Sequence, residues 1–485
     1  MRFLDLAVIL VYLIAITWFG AHFRKGQTSL GDYFLGGRNA PWWAIALSIV
    51  SAETSTLTIV GTPGLSFAGN LGFLQLVFGY LLARVAVSVL FLPHYFRGEM
   101  FTAYELMRRR FGQRIRRLTA AIFLVTRALA EGVRVFAISL VVSIVLGTGE
   151  TASVVLIVCL TLFYTFEGGM TAVIWTDVAQ MGLYVLGAAV SLFVILAKIP
   201  GGWAHVAAVA GAAGKLQVFD FRFSPTMQFF SRKYSFWAGL VGGCFLTMAS
   251  HGTDQLMVQR LLSARHEAQS RRALLSSWLV IFFQFSLFLT IGVLLFVYYQ
   301  DAHLVKPRTL DRIYPEFVWR HLPVGVAGLA TAAMLAAAMA NLSAALNSLA
   351  STTVIDFARW RPASERRTEA GSLRLARGMT VVWGVVLAAI GMLARHWGSV
   401  LEAGLSIASV TLGLLLGVFL LGVLTRRVRE WAAMAGVVAG LAAVLYTCFA
   451  TPVAWTWWVA IGATVTFAAG YGASFLQSGT PEVSL

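Results

Sequence analysis

A stretch of polar residues interrupts a segment that is otherwise hydrophobic enough to cross a bilayer. Residues 48–64, SIVSAETSTLTIVGTPG, place Glu53 among serine and threonine hydroxyls and end in Gly-Thr-Pro-Gly. Glycine and proline at 61–64 predict a break in the helix. Unwound backbone is tolerated within a membrane only where it lines a cavity or is buried in protein. The segment therefore predicts a cavity in which carbonyl and hydroxyl oxygens bind a hard cation and a polar solute.

A second hydrophobic segment, 118–147, contains three charged residues on one helical face. Arg127, Glu131 and Arg134 follow one another at spacings of four and three, so Glu131 can pair with either arginine. Charges inside a membrane are costly and mark functional positions. If Glu131 pairs with Arg127, the planar guanidinium of Arg134 is available for a carboxylate. The alternatives are a satisfied structural triad, or pairing of Arg134 with Glu53.

Further hydrogen-bonding groups surround the predicted cavity. Ser55, Thr56 and Thr58 lie close to Glu53 in the sequence, and Gln75 projects from the following segment. Glu53 itself can accept hydrogen bonds from a solute or titrate. These groups suit a small polar solute. An anionic sugar acid or monocarboxylate is the first candidate, a neutral sugar or polyol the second, and an amino acid the third.

The hydrophobic runs around these residues predict an all-α polytopic membrane protein. The chain of 485 residues is 59% hydrophobic and 12% charged, with a mean hydropathy of +0.78. In a soluble protein about a quarter of the residues are charged. Apolar runs as long as a spanning helix recur throughout. They predict about thirteen spans, at about 4–23, 42–67, 71–95, 118–147, 152–167, 171–198, 236–258, 274–299, 324–356, 378–394, 400–424, 431–450 and 454–475.

The formal net charge of +16 reflects topology. Most of the lysines and arginines fall in alternate loops, which the positive-inside rule places in the cytoplasm. We therefore expect the N-terminus outside the cell membrane and the C-terminus in the cytoplasm, as an odd number of spans requires. Nucleic acid is not needed to explain the charge.

A second interruption is predicted five spans after the first. Gly239, Gly242 and Gly243 lie within the segment FWAGLVGGCFLTMASHGTDQ. Interrupted spans at corresponding positions of two halves indicate an inverted-repeat transporter. The alternative is that these glycines only allow close packing between helices.

Five motifs resemble the solute:sodium symporter family in order and spacing: DYFLGGR (32–38), YFRGEMFTAYELMRRRFG (95–112), FEGGMTAVIWTDVAQ (166–180), GTDQLMVQR (252–260) and LSAALNSLASTTVIDF (342–357). The resemblance implies one transporter domain over 1–485 with a LeuT-type core of two five-helix inverted repeats. The repeats are expected at about 42–198 and 236–424. One extra helix precedes them at about 4–23, and two follow at about 431–475.

The resemblance also implies a sodium site. The family's carbonyl donors correspond to Ser51, Thr54 and Ala337, while its two hydroxyl positions fall on Ala340 and Asn341. Alanine has no side-chain oxygen, and asparagine offers an amide oxygen. The site is expected to lose one ligand, to bind water, or to shift toward the serines at 343 and 348. Sodium is the favoured coupling ion, with H⁺ as the alternative.

A possible second cation site follows from the same resemblance. Asp177 corresponds to a position linked to a second cation in some members, and Ser343 lies where a later ligand would be. Alternatively, Asp177 forms only local hydrogen bonds near the start of its span.

These observations together predict a secondary active transporter. It imports a small organic solute with a cation by alternating access, acts as a monomer in lipid, and needs no organic cofactor. No P-loop or nucleophile motif supports a pump or an enzyme. The alternative is an H⁺-coupled symporter of a neutral sugar or amino acid. A transporter-like membrane sensor is the less favoured interpretation.

Overall fold

A computed structural model of the protein describes residues 2–22, 35–97, 100, 102–164, 170–357, 369–397 and 399–476. Within these ranges the chain is helical and contains no strand. Parts of the motifs at 32–38, 95–112 and 166–180 lie outside them. The longer helices are α1 (Phe3–His22), α2 (Trp42–Glu53), α3 (Thr56–Ala68), α4 (Leu74–Leu90), α5 (Ala103–Phe111), α6 (Gln113–Leu146), α7 (Glu150–Tyr164), α8 (Met170–Lys198), α9 (Gly202–Ala212), α10 (Gly243–Gly252), α11 (Gln255–Leu262), α12 (Glu267–Asp301), α13 (Ile313–His321), α14 (Val326–Thr352), α15 (Glu369–Ala394), α16 (Val400–Leu424), α17 (Glu430–Ala450) and α18 (Trp458–Ala473).

Several of these helices can cross a membrane. Among the described residues, eight are long and apolar enough, or nine if α2 and α3 count as one bent span. Three shorter apolar stretches add to them: Phe3–Phe19, Glu150–Leu162 and Gly378–Ala394. The prediction of a polytopic helical membrane protein is confirmed, while the count of thirteen spans stays a prediction.

The helices pack as two groups joined by connecting helices. In one group, α2 and α3 pack on α12, and α4 packs on α10 and α12. In the other group, α6, α7, α14 and α15 pack on one another. Helix α8 contacts α2 and α12 on one side and α14 on the other, and α16 contacts both α6 and α10. Helices α8 and α16 thus bridge the two groups.

The first break does not lie where the glycines and proline predicted it. Helix α2 ends at Glu53 and α3 begins at Thr56, with a bend of 62° between them. The prediction of a break at 61–64 is wrong, because α3 continues through these residues to Ala68. A Cβ atom on Gly64 would lie 2.6 Å from the carbonyl oxygen of Leu310. Gly64 therefore allows a neighbouring loop to pack closely against α3, and it does not unwind the helix.

The glycine cluster of the second interrupted span is also continuous. Residues 238–242 form one π-helical turn that leads directly into α10. A Cβ atom on Gly239 would lie 2.5 Å from the backbone carbon of Gln75, so the cluster is a close crossing of α4. The predicted interruption at these glycines is wrong, and the packing alternative describes them. The actual break follows at Thr253 and Asp254, between α10 and α11.

Asp5 attaches α1 to the start of α14. Its carboxylate is fully buried, and one oxygen accepts hydrogen bonds of 2.7 Å from the backbone N–H groups of both Gly325 and Gly328. The Nε atom of Arg2 lies 3.0 Å from the other oxygen. The first N–H groups of a helix have no partner within it, so a carboxylate that binds two of them is an effective cap.

We expect the substitution Asp5→Ala to lower the free energy of unfolding by about 2 kcal/mol, because it leaves buried donors of α14 unsatisfied. Thermal unfolding of the purified protein in detergent measures the change. Asp301→Ala is the matched control, since the only ion pair of Asp301 in the described part of the chain is with the partly exposed His205. Equal unfolding temperatures for the two variants would contradict this role of Asp5.

Candidate functional site

A cavity lies where the two broken spans face each other. It is bounded by the α2–α3 and α10–α11 breaks and by residues of α4, α6, α12 and α16. Aromatic and aliphatic side chains form most of its wall. Its polar lining residues include Glu53, Ser55, Thr58, Arg127, Arg134 and Asp254. A largely apolar cavity with a few convergent polar groups is the usual form of a small-molecule site.

The backbone of the first break leaves several carbonyl oxygens without helical partners. Thr54 adopts φ −81° and ψ 86°, and the N–H of Ser55 donates to the carbonyl of Glu53 at 3.1 Å, which forms an inverse γ-turn. The N–H of Thr58 donates to the carbonyl of Ser55. Among the described residues, no backbone N–H donates to the carbonyls of Ser51 or Thr54. These are the two carbonyls that the family resemblance implied as sodium ligands.

The later helix of the implied sodium site is α14. Ala337 and Asn341 are buried in it, and Ala340 lies in the same helix. Helix α14 contacts both α3 and α11. A residue that sequence analysis missed, Gln284 of α12, donates a 2.5 Å hydrogen bond to the hydroxyl of Thr54 and so fixes the turn.

The charged residues of α6 form a network with the second break. Glu131 accepts hydrogen bonds through one oxygen from both Arg127 and Arg134. Arg127 also reaches the carboxylate of Asp254, at 2.9 and 3.1 Å. Both arginines line the cavity, and with side-chain exposures of 7% for Arg127 and 23% for Arg134, Arg134 is the more accessible of the two. Arg134 is therefore anchored by Glu131 and not paired with Glu53.

Glu53 pairs instead with an arginine of α4. Its Oε2 atom lies 2.5 Å from the Arg84 guanidinium and 3.5 Å from Nε2 of His251. Arg84 is fully buried and also donates to the hydroxyl of Ser277. Sequence analysis did not connect Glu53 with Arg84. The sequence feature that could have indicated this pair is that Glu53 and Arg84 are opposite charges within apolar segments, where a charge needs a partner.

Gln75 does not reach the cavity with the other predicted solute ligands. Near the start of α4, its amide donates to the carbonyls of Gly72 and Tyr234. Its oxygen accepts a 2.9 Å hydrogen bond from the N–H of Asp220. The structure thus brings Glu53, Ser55, Thr58 and Arg134 together, and it places Gln75 against the loop that follows α9.

Asp177 lies in a buried network at the start of α8. Its Oδ2 atom accepts a 2.6 Å hydrogen bond from Ser48 and lies 2.9 Å from the guanidinium of Arg260. Arg260 also donates to the hydroxyl of Ser48. The network connects α2, α8 and α11 below the first break. Ser343 is half-buried on α14, and no hydrogen bond between it and Asp177 occurs in the described part of the chain.

Another set of charged residues lies at the opposite end of the bent span, where α16 begins. Glu402 binds Lys233 and the hydroxyl of Tyr234, both at 2.8 Å. Asp311 accepts a hydrogen bond from the N–H of Val400. Burial raises the pKa of Asp311 to about 6. These contacts hold the loops around 233 and 311 against the start of α16.

Two broken spans that face each other around a polar site, between two groups of packed helices, define a secondary transporter of the LeuT type. The sequence model of the sodium:solute symporter family matches residues 33–440. The chain belongs to this family. It is therefore a sodium-coupled symporter and not an enzyme, as the sequence predicted.

Curated relatives match most of the chain. The human sodium/iodide cotransporter is 30% identical over 91% of this chain and 67% of its own length. The sodium/sialic acid symporter SiaT of Proteus mirabilis is 27% identical over 100% of this chain and 97% of its own. The mouse sodium-coupled monocarboxylate transporter 2 is 26% identical, and the match covers 91% of this chain and 69% of that protein.

Solved structures confirm the fold. A substrate-bound, outward-open Na⁺-coupled sialic acid symporter superposes with a TM-score of 0.86 at 25% identity, and the alignment covers 98% of each chain. The nucleobase-cation symporter Mhp1 superposes with a TM-score of 0.58 at 12% identity, over 93% of this chain and 95% of that one. The second comparison bears on the fold alone.

Proposed function

We propose that this symporter imports an organic anion whose carboxylate binds Arg134. The observation that carries the proposal is the position of Arg134, which Glu131 holds while part of its guanidinium faces the cavity. An arginine fork suits a carboxylate. The names of the relatives support an anion, because they specify iodide, monocarboxylates and sialic acid. An anionic sugar acid or monocarboxylate is thus the proposed solute.

Three further residues are proposed as solute ligands. Glu53, Ser55 and Thr58 line the same cavity as Arg134. Hydroxyl groups both donate and accept hydrogen bonds, so Ser55 and Thr58 suit a polar solute. Gln75, at the start of α4, contributes indirectly by fixing the loop at Asp220.

The proposed sodium site combines the freed carbonyls of the first break with α14. Ser51 and Thr54 supply carbonyl oxygens, Ala337 supplies a third, and Asn341 supplies its amide oxygen. The position of Ala340 contributes no side-chain oxygen, so water completes the shell. The γ-turn at Thr54 supports this assignment, because it leaves the carbonyls of Ser51 and Thr54 without backbone donors among the described residues.

A second cation site at Asp177 and Ser343 remains a secondary proposal. Arg260 supplies the positive charge beside Asp177, so a cation can bind there only after Arg260 moves away. The network of Asp177, Arg260 and Ser48 joins α2 and α11, the two half-helices on one side of the breaks. Its opening is expected to accompany release of the solute on that side.

We further propose that the protein acts as a monomer in the lipid of the cell membrane, with the N-terminus outside and the C-terminus in the cytoplasm. Its inverted repeats cover about 42–198 and 236–424, with extra helices at about 4–23 and 431–475. The separate packing of the two helix groups supports alternating access by rocking. Nucleic acid has no part in this function.

Ligand-induced stabilisation of the purified protein tests the solute class. Sialic acid, a short monocarboxylate, a neutral sugar and an amino acid are each added in sodium or choline chloride, and the unfolding temperature is measured. We expect a carboxylate to raise it only in sodium. Stabilisation by the neutral sugar alone would contradict the proposal. If the solute raises the unfolding temperature without sodium, and does so more strongly at low pH, the result would instead support H⁺ coupling through His251 and Glu53. The side chains of these two residues lie 3.5 Å apart.

Substitution of Asn341 tests the sodium site. Asn341→Ala removes the proposed side-chain ligand, and we expect the sodium concentration for half-maximal stabilisation by the carboxylate to rise about tenfold, the effect of losing about 1.4 kcal/mol. Ser276→Ala, on the exposed side of α12, is the control. An unchanged sodium dependence in Asn341→Ala would remove this residue from the site.

A further inference from the structure

The two carboxylate oxygens of Glu53 have different surroundings. Oε2 accepts a 2.5 Å hydrogen bond from the Arg84 guanidinium and lies 3.5 Å from Nε2 of His251. Among the described residues, none donates a hydrogen bond to Oε1. The Glu53 side chain is 13% exposed, and it lines the cavity. Oε1 is therefore an acceptor that the protein leaves available to the solute.

Arg84 fixes this orientation. Its side chain is fully buried and makes three polar contacts: with Glu53, with the Ser277 hydroxyl at 3.0 Å, and with the Tyr80 carbonyl at 3.3 Å. A guanidinium held from three directions cannot follow a rotating carboxylate. Arg84 and His251 thus keep Oε2 in the wall and Oε1 toward the cavity.

The cavity consequently offers two complementary polar groups on different walls. Arg134 of α6 can only donate hydrogen bonds, whereas an ionised Glu53 at the end of α2 can only accept them. A solute that leaves a desolvated carboxylate oxygen unpaired binds weakly. A simple fatty acid has a partner for Arg134 and none for Glu53.

We propose that the solute carries, besides its carboxylate, a hydroxyl or ammonium group that donates to Oε1 of Glu53. Glu53 is then a specificity-determining residue, and Arg84 is a positioning residue that acts through it. This inference rests on the proposed function, since it assumes a carboxylate at Arg134. It excludes unsubstituted monocarboxylates as preferred solutes.

Matched carboxylates test the inference. Gluconate, 6-aminohexanoate and hexanoate have carbon chains of equal length and differ in carrying hydroxyls, an ammonium group, or neither. Each is titrated against the purified protein in sodium, with unfolding temperature as the readout. We expect at least one of the first two to bind about 10- to 100-fold more tightly than hexanoate, the range of a hydrogen bond to a charged group. Tighter binding of gluconate identifies the donor as a hydroxyl, and tighter binding of 6-aminohexanoate identifies it as an ammonium group.

In Glu53→Gln the preference is expected to fall below about threefold, because an amide is a weaker acceptor and Arg84 no longer orients it. The double variant Glu53→Gln/Arg84→Gln removes both charges together, so it tests selectivity if the single variant does not fold. Glu267→Gln, on the exposed start of α12, is the control. Equal binding of all three carboxylates, or a preference that survives in the double variant, overturns the inference alone. Failure of every carboxylate to bind overturns the proposed function as well.

Discussion

Replacement of Arg134 by glutamine is expected to reduce sodium-driven uptake of a carboxylate about 100-fold. Arg134 is the more exposed of the two arginines that line the cavity, and it is held by Glu131. Loss of a charge-assisted hydrogen bond inside a desolvated cavity costs about 3 kcal/mol, which corresponds to this factor. Initial rates of uptake into proteoliposomes give the measurement.

The fold should survive the substitution. Arg127 still neutralises Glu131 when Arg134 is removed, and it also binds Asp254. An unfolding temperature equal to that of the parent protein therefore shows that Arg134→Gln has lost a solute ligand and not its fold. Arg134→Lys retains the charge without the planar fork and is expected to recover only part of the activity. Arg108→Gln, at an exposed side chain of α5, is the matched control. Uptake by Arg134→Gln within threefold of the parent protein would place the carboxylate elsewhere.

Introduction of a methyl group at Gly239 is expected to have a large effect on stability. A Cβ atom there would lie 2.5 Å from the backbone carbon and 2.6 Å from the carbonyl oxygen of Gln75. These are backbone atoms of α4, which cannot turn aside as a side chain can. We expect Gly239→Ala to lower the free energy of unfolding by about 3 kcal/mol or to prevent folding, as overpacking does.

Gly182→Ala is the control for this prediction. Gly182 lies within α8, and no described atom outside its own helix lies within 4 Å of the position of a Cβ. Alanine is the better helix former, so this variant should unfold at the parent temperature or slightly above it. Comparable stability of the two variants would show that α4 and the π-helical turn do not cross as closely as described.

The class of fold could be predicted from the sequence because it depends on summed properties. Long apolar runs specify spanning helices whatever their details, and the family motifs specify their arrangement. The predicted breaks show the limit of that reasoning. Pro63 and Gly64 are the strongest helix-breaking residues of the segment, yet the chain unwinds at Thr54. Gly64 instead allows close contact with the loop at Leu310, and only the folded structure reveals this contact.

Pairing of charges was the least predictable feature of the site. Arg127, Glu131 and Arg134 share one helix, so their spacing alone predicted contact. Glu53 and Arg84 lie on different helices, and nothing in their spacing shows that they meet. The same holds for Gln75, whose partners come from a distant loop. Helix periodicity predicts neighbours within an element, whereas partners between elements depend on how the helices pack.

Accumulation of the solute against its own gradient tests the central claim most directly. Proteoliposomes containing the purified protein are given labelled carboxylate at equal concentration on both sides, with an inward sodium gradient, an inward H⁺ gradient, or none. We predict that the internal concentration rises above the external one only with the sodium gradient, and that Arg134→Gln abolishes the rise. Accumulation driven by H⁺ alone, or equal in all three conditions, would contradict sodium-coupled symport of an anion through this cavity.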